Sequence, residues 1–371
     1  MHIQINRKHL MHSVQRCLNI VDKRVTNPSL ANVLLVAKSD TIIITATNEQ
    51  ITIQIRLTGE IIQQGSISID AKKLHDLLRE WSNVEDVDLI LQRGRVELRH
   101  GRSVMRLNTI DVEEFPQQSE LISGLKVTIS STTLSEMIAS TQFSIGTDET
   151  RKHLTGMLFE LSAEYGLRVV STDGHRLSFC QTALIPSLTI DSPIQVIVPE
   201  KMVVEIRRVC EDLDQEIQLL IDHDRIAIVT TTQKITGLLI NARYPLYEEV
   251  FPKTLSHTVM LPNQEIDTVL RRCLVVANGI NHDISLSFAD NAVHITAKNR
   301  DQEEVDDFVA LPYDSTPFTM GFNGGYLRNV LSVISSDQVE MQFNDENSPV
   351  LFTEQTMGID KRFVIMPLRI G

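Results

Sequence analysis

The chain is 371 residues long, 42% hydrophobic and 22% charged, an ordinary globular balance with enough apolar chain for two or three domain cores. No apolar run approaches the ~18 residues of a membrane-spanning helix, and residues 1–5 alternate like a strand instead of reading as a signal peptide, so a cytoplasmic location is expected. A formal net charge of −13 argues against a protein that grips nucleic acid through bulk positive charge.

A short alternating strand at residues 2–6 opens the chain and leads into helically spaced Leu10, Val14, Cys17, Leu18 and Val21. Strand-like stretches follow at 32–36, 41–47 and 51–57, then a second helix carried by Leu74, Leu77, Leu78 and Trp81. The same order restarts with a strand at 125–130 and a helical set of Leu134, Ile138, Thr141, Gln142 and Ile145. Strands at 156–161 and 167–172 come next, then a helix of Val203, Ile206 and Cys210 with Arg207 at an expected apolar place. A third round runs from a strand at 257–261 through Ile266, Leu270, Cys273, Leu274 and Ala277. It continues with strands at 284–288 and 292–297 and ends on Leu327, Val330, Leu331 and Ile334.

Matched helices in the same order three times define an internal repeat. The copies divide as 1–124, 125–253 and 254–371, where the chain turns polar after Phe115-Pro116 and Phe251-Pro252. The expected fold is α+β, each copy packing two helices on two small antiparallel sheets. Copies joined edge to edge satisfy their outer strands and make an arc, whose free ends must pair with another chain or stay exposed. Arg99, His100, Arg102 and Arg106 make one end basic; Asp301, Glu303, Glu304, Asp306 and Asp307 make the other acidic. A head-to-tail contact between them would close two arcs into a twofold ring. The other reading is two unrelated solvated charge runs.

The six helices with their leading loops carry a formal charge near +2, which leaves about −15 on the rest. Helices facing an anion, with acidic sheets facing solvent, would produce that distribution. A weakly basic lining would read phosphate rather than base sequence, and topology would hold such a ring on DNA.

Catalytic motifs are missing: no GxxxxGK[ST], GxGxxG after a strand, HExxH or GxSxG. Cys17, Cys180, Cys210 and Cys273 form no CxxC pair and are expected to be buried thiols, so neither metal nor cofactor is assigned. Asp173 and His175 could suggest a dyad in a three-lobed enzyme, but they stand on a tight turn with no nucleophile placed beside them. A sequence-specific DNA-binding protein is the other rival; it lacks a strongly basic reading helix.

The run from His153 to Glu160 (HLTGMLFE), followed by Thr172-Asp173-Gly174-His175-Arg176-Leu177, closely resembles the bacterial DNA polymerase III beta subunit family. Arg24 before Thr26-Asn27-Pro28, Tyr244-Pro245, Val250-Phe251-Pro252-Lys253 and the terminal FVIMPLRI at 363–370 match it too. The similarity covers essentially the whole chain. It implies a non-catalytic sliding clamp, a processivity factor for DNA replication, built as a head-to-tail homodimeric ring around duplex DNA. An ATP-driven clamp loader would load it.

A cleft between the second and third domains would bind short peptides of polymerases, repair proteins and the loader. Matched residue by residue, that cleft is Leu154, Thr172, Gly174, His175, Arg176, Leu177, Pro245, Val250, Asn323, Tyr326, Ser348, Val364, Met366, Pro367, Leu368 and Arg369. Of the basic residues on the repeated helices and their leading loops, Arg24, Lys72, Arg151, Lys152 and Lys201 are expected to face DNA. At the dimer interface the resemblance implies Lys73, Arg102, Met105, Val275, Val276, Glu303 and Glu304. The chain departs from the family at Glu249, where a basic residue is usual, and at Lys152 and His153, where aromatics are common. Met105 also replaces an aromatic, and Gly371 extends the terminus by one residue.

Overall fold

The computed structural model describes residues 1–21, 27–116, 124–183, 190–211, 213–277 and 282–369. The first repeat runs β1 (His2–Asn6), α1 (Arg7–Cys17), β2 (Asn32–Lys38), β3 (Thr41–Thr47), β4 (Ile51–Leu57), β5 (Gly59–Gln63) and β6 (Gly65–Asp70). It ends with α2 (Ala71–Glu80), β7 (Asp86–Gln92), β8 (Arg95–His100) and β9 (Ser103–Asn108). The second runs β10 (Leu125–Ser130), α3 (Ser131–Ala139), β11 (Gly156–Ser162), β12 (Gly166–Thr172), β13 (Arg176–Thr182) and β14 (Ile194–Pro199). It closes with α4 (Glu200–Glu211), β15 (Glu216–Ile221), β16 (Arg225–Val229) and β17 (Gln233–Leu238). The third repeats that order with β18 (His257–Pro262), α5 (Asn263–Val276), β19 (Asp283–Ala289), β20 (Ala292–Lys298), β21 (Glu304–Ala310) and β22 (Phe318–Asn323). Its last elements are α6 (Gly324–Leu331), β23 (Gln338–Phe343), β24 (Val350–Thr356) and β25 (Ile359–Ile365).

The helices start where a side chain can satisfy orphan amides: Asn6, Asp70, Ser130 and Asn323 accept from Lys8, Lys73, Thr133 and Tyr326 respectively. Helix α3 stops earlier than its apolar period suggests. Thr141 turns its hydroxyl back onto the Met137 carbonyl at 2.7 Å, and the apolar set continues as a short 3-10 turn at Gln142–Ser144. Arg207, at an expected apolar place on α4, is half-buried and pairs with Glu211 at 2.6 Å. All four cysteines are buried free thiols, and burial pushes Cys17 up to about 12.

Three different residues do one job at the start of the first helix of each repeat. The backbone amides of Arg7, Ser131 and Asn263 donate to the carbonyls of Glu85, Gln215 and Asp337 at 2.8, 3.0 and 2.9 Å. Their side chains donate to carbonyls at or just past the end of the second helix: Arg7 to Leu78 and Val84, Ser131 to Leu213, and Asn263 to Leu331 and Ile334. Arg7, 4% exposed, adds a cation where the α2 dipole is negative. Arg7→Ala is therefore expected to destabilise the protein by about 2–4 kcal/mol, because it orphans buried carbonyls. Urea unfolding would measure this; Arg7→Lys should recover little, since an ammonium lacks the fork that reaches both carbonyls.

Contacts group the chain into two compact units, residues 1–128 with 216–239, and residues 129–215 with 240–371. Each repeat supplies two small antiparallel sheets, as expected, and where repeats meet these sheets join edge to edge. In the first unit β17 joins β4, so the order β10-β15-β16-β17-β4-β3-β2-β6 forms one eight-stranded sheet beside the five-stranded β5-β1-β7-β8-β9. In the second unit β13 joins β25, giving β14-β11-β12-β13-β25-β24-β23-β18, with the four-stranded β21-β20-β19-β22 alongside. Each pairing removes a row of exposed amides and carbonyls. Each repeat's exit also returns as a single bridge onto the strand before its second helix: Ile110 to Ser68, Ile240 to Ile197, and Leu368 to Gly321.

Candidate functional site

The resemblance singles out the connection between β12 and β13, and its local chemistry explains its shape. Gly174 sits at φ +92°, a conformation side chains rarely adopt. Thr172 donates its hydroxyl to the Arg176 carbonyl at 2.6 Å and accepts the Gly174 amide at 3.1 Å. Asp173 accepts the amides of His175 and Arg176 at 2.9 and 3.1 Å, and its other oxygen takes the Arg176 Nε at 3.0 Å. The Asp173 carboxylate thus builds the turn and aims Arg176, rather than orienting the His175 ring.

Arg176 also donates to the Phe143 carbonyl and lies 4.1 Å over the Tyr326 ring. Its Nη1 is buried with no hydrogen-bond partner among the described residues. Tyr326 stands in the first turn of α6, its amide capped by Asn323 at 3.1 Å.

The chain end closes over this turn. After β25, the Met366 amide donates to the His175 carbonyl at 3.0 Å and the Leu368 amide to the Gly321 carbonyl at 2.8 Å. Residues 366–368 therefore bridge the turn and β22. Leu177 and Val364 face each other across β13 and β25, buried at 1% and 0% exposure in one core with Tyr244 and Tyr247. Leu154 is buried as well, at the end of a 3-10 segment, Glu149–Leu154, where its carbonyl accepts the Gly146 amide.

The apolar surface left open is Pro245, Leu246, Val250 and Met366. Leu246, 60% exposed, was missed by the sequence reading, although an aliphatic residue between two tyrosines was a visible signal. Ser348 is bonded to Asp345 in the turn before β24, and Arg369 is exposed.

Of the basic positions, Arg24 lies outside the described residues, while Lys72, Lys152 and Lys201 are exposed. Arg151 pairs with Asp148 at 3.1 Å, and a Cβ on Gly174 would lie 2.9 Å from its Nη1. It therefore belongs as much to the Thr172–Leu177 turn as to any basic lining. Lys73 lies 4.0 Å from Asp70, the residue that caps its own helix.

The charge runs are partly neutralised within the fold. Buried Glu97 holds Arg99 and Arg106 at 2.7 and 2.8 Å; Asp307 takes Arg272 at 2.5 Å and Glu304 takes Lys298 at 3.6 Å. Arg102 remains exposed beside β9, as does Glu303, which accepts from Asn299 just before β21. Met105 and Val276 are half-buried, whereas Val275 on α5 and Phe308 on β21 are 78% and 62% exposed. Strands β9 and β21 are both sheet edges. Among the described residues there is no cluster able to hold a metal and no helix long and apolar enough to cross a membrane.

Family models cover nearly the whole chain: the DNA polymerase III beta subunit N-terminal domain over residues 1–119, its central domain over 128–246 and its C-terminal domain over 248–369. The chain is 31% identical to the beta sliding clamp of Pseudomonas aeruginosa and 30% identical to that of Vibrio cholerae, with 100% of each chain covered. Among solved structures, the DNA polymerase III subunit beta of P. aeruginosa matches with a TM-score of 0.93 at 31% identity over 100% of both chains. A sliding clamp from the same organism bound to griselimycin also matches at 0.93, with 30% identity over 100% of both chains.

Proposed function

The chain belongs to the DNA polymerase III beta subunit family, the beta sliding clamps, and we propose that two copies close head to tail into a ring around duplex DNA. The observation that carries this reading is a pairing rule. The last strand of the second repeat, β17, pairs with β4 of the first, and the last strand of the third, β25, pairs with β13 of the second. In that series β9 lacks its acceptor and β21 lacks its donor, and both are sheet edges. A second copy supplies the missing strand at each end, so two β9–β21 joints complete the series for both chains. Met105, Val275, Val276 and Phe308 provide the apolar part of the joint. Lys73 and Arg102 facing Glu303 and Glu304 provide its polarity and orientation.

Arg24, Lys72, Arg151, Lys152 and Lys201 would then touch phosphates without reading bases. Few such contacts leave the ring free to slide and make direct binding weak and salt-sensitive.

The Thr172–Leu177 turn, the chain end and the 245–250 segment form the docking cleft for peptides of DNA polymerases, repair proteins and the clamp loader. Val250, Met366 and Leu368 offer an adaptable apolar wall, and Arg176 and Arg369 hold polar or carboxylate groups.

The decisive experiment is retention on plasmid after loading with a cognate ATP-driven loader. The protein should stay on circles and run off once they are cut; equal retention on both forms would overturn the ring. Val275→Asp, at an exposed position in the single chain, should raise the dimer dissociation constant at least tenfold, about 1.4 kcal/mol. Sedimentation equilibrium measures it, and an unchanged dimer would remove Val275 from the joint.

A further inference from the structure

The segment from Tyr244 to Pro252 alternates anchored rings with presented aliphatics. Tyr244 donates its hydroxyl to the Val170 carbonyl at 3.3 Å, and Phe251 meets Phe179 edge-on at 5.7 Å. Tyr247, 2% exposed, donates its hydroxyl to the Glu160 carboxylate at 2.7 Å. Pro245, Leu246 and Val250 point to solvent from the same few residues. The segment's own structure is slight: its 3-10 turn, Tyr247–Val250, has no side-chain cap and is closed by a 3.3 Å bond from the Glu249 amide to the Leu246 carbonyl. Its position is therefore set by what the rings hold on to.

Glu160 is an unusual thing for them to hold. It sits on β11, 4% exposed, where an unpaired carboxylate would be costly. It is fully engaged instead: Gln195 donates to one oxygen at 2.7 Å, and Arg168 lies 3.5 Å from the other, the one Tyr247 uses. Arg168 is itself fixed, donating to Gln181 at 2.8 Å and stacking 3.5 Å over the Tyr165 ring. Burial works to raise the Glu160 carboxyl, but the bonds from Gln195, Tyr247 and Tyr165 outweigh it and keep it ionised. Burial, then Glu160, raises the Tyr247 phenol, so that hydroxyl remains a donor at any working pH.

We propose that Glu160 and Tyr247 act as positioning residues for the partner cleft, a buckle that holds the 244–252 strap so that Val250 and its neighbours stand ready for an incoming peptide. This rests on the cleft reading above. A preset wall avoids ordering the strap at the moment of binding, so loosening the buckle weakens partner binding without touching a contact residue.

The test uses the full-length protein, with griselimycin as the probe and calorimetry as the readout. Tyr247→Phe keeps the ring and removes the hydroxyl; it should weaken binding fivefold to tenfold, while retention on circular DNA stays at the parent level. Glu160→Gln keeps an acceptor and should bind within about twofold of the parent, whereas Glu160→Leu should match Tyr247→Phe. The discriminating readout is coupling: Val250→Ala should lose about tenfold in the parent and under twofold in the Tyr247→Phe background. A role confined to general stability would leave the Val250→Ala loss equal in both backgrounds, and that result, or unchanged binding by Tyr247→Phe, refutes the buckle alone. Absence of binding to the unaltered protein refutes the cleft reading and the buckle together.

Discussion

Deleting residues 366–371 is expected to abolish partner binding while leaving the dimer intact. The deletion begins just after β25, so the ladders of that strand with β13 and β24 survive through Ile365. What goes is the bridge from the His175 carbonyl to the Gly321 carbonyl, together with Met366 and Leu368, which we place in the apolar wall of the proposed cleft. The proposed cleft loses wall, lid and the Arg369 charge at once, and the β22 edge beneath Leu368 is uncovered. A rise in the dissociation constant for a clamp-binding peptide of a DNA polymerase of more than about 100-fold, about 2.8 kcal/mol, is expected. Neither β9 nor β21, the strands of the proposed joint, pairs with residues 366–369, so sedimentation should still give the proposed dimer. Full-strength binding by the truncated protein would show that the cleft had been placed on the wrong residues.

How much of this was legible in the sequence differs by level. Apolar periodicity locates the six α-helices among the described residues, because each must bury a stripe, as Leu10, Val14 and Cys17 do at 0% exposure. It overruns at Thr141, where a hydroxyl competes for the helix's own carbonyl. Edge-to-edge joining of the repeats was legible, but not which strands meet: the alternation in β4 or β25 says which face is buried, not which edge it meets. The helix locks were hidden for another reason, since Arg7, Ser131 and Asn263 share a role without sharing a chemistry. At the site, the Thr172–Leu177 run identifies the turn. What Asp173 does there depends on Gly174 bringing two amides and a guanidinium onto one carboxylate. Leu368, read from the sequence only as a cleft residue, is the third member of a series with Ile110 and Ile240, each covering a strand edge.

The least legible residue has the largest expected effect on stability. Lys361 reads as a solvent-facing lysine beside Arg362, yet it is 1% exposed. Its ammonium lies 2.6 Å from Glu136 on α3 and 2.9 Å from Glu354 on β24, and donates to the Val333 carbonyl at 3.2 Å. Glu354 also accepts the amides and hydroxyls of Ser335 and Ser336, at 2.7 to 3.1 Å. One buried cation thus ties the first helix of the second repeat to the last strands of the third, through the same strand that carries Val364.

Lys361→Met preserves volume and leaves two carboxylates facing each other without it, so a loss of about 3–5 kcal/mol is expected. Lys361→Met with Glu354→Gln should recover at least half, because the amide oxygen still accepts from the serines while the orphaned charge is gone. The pH dependence follows from the shifts. Burial raises the Glu354 carboxyl but Lys361 and Ser335 lower it further, so its contribution holds above its ordinary 4.5 and fades as pH falls through its lowered native value. Burial lowers the Lys361 ammonium but Glu136 and Glu354 raise it further, so its contribution holds below 10.5 and fades as pH rises through its raised native value. The stability gap between the parent and Lys361→Met should therefore be flat in urea unfolding at pH 6, 7 and 9, and should narrow in acid. A gap that closed near neutrality would mean that Lys361 is not the charged centre of this knot.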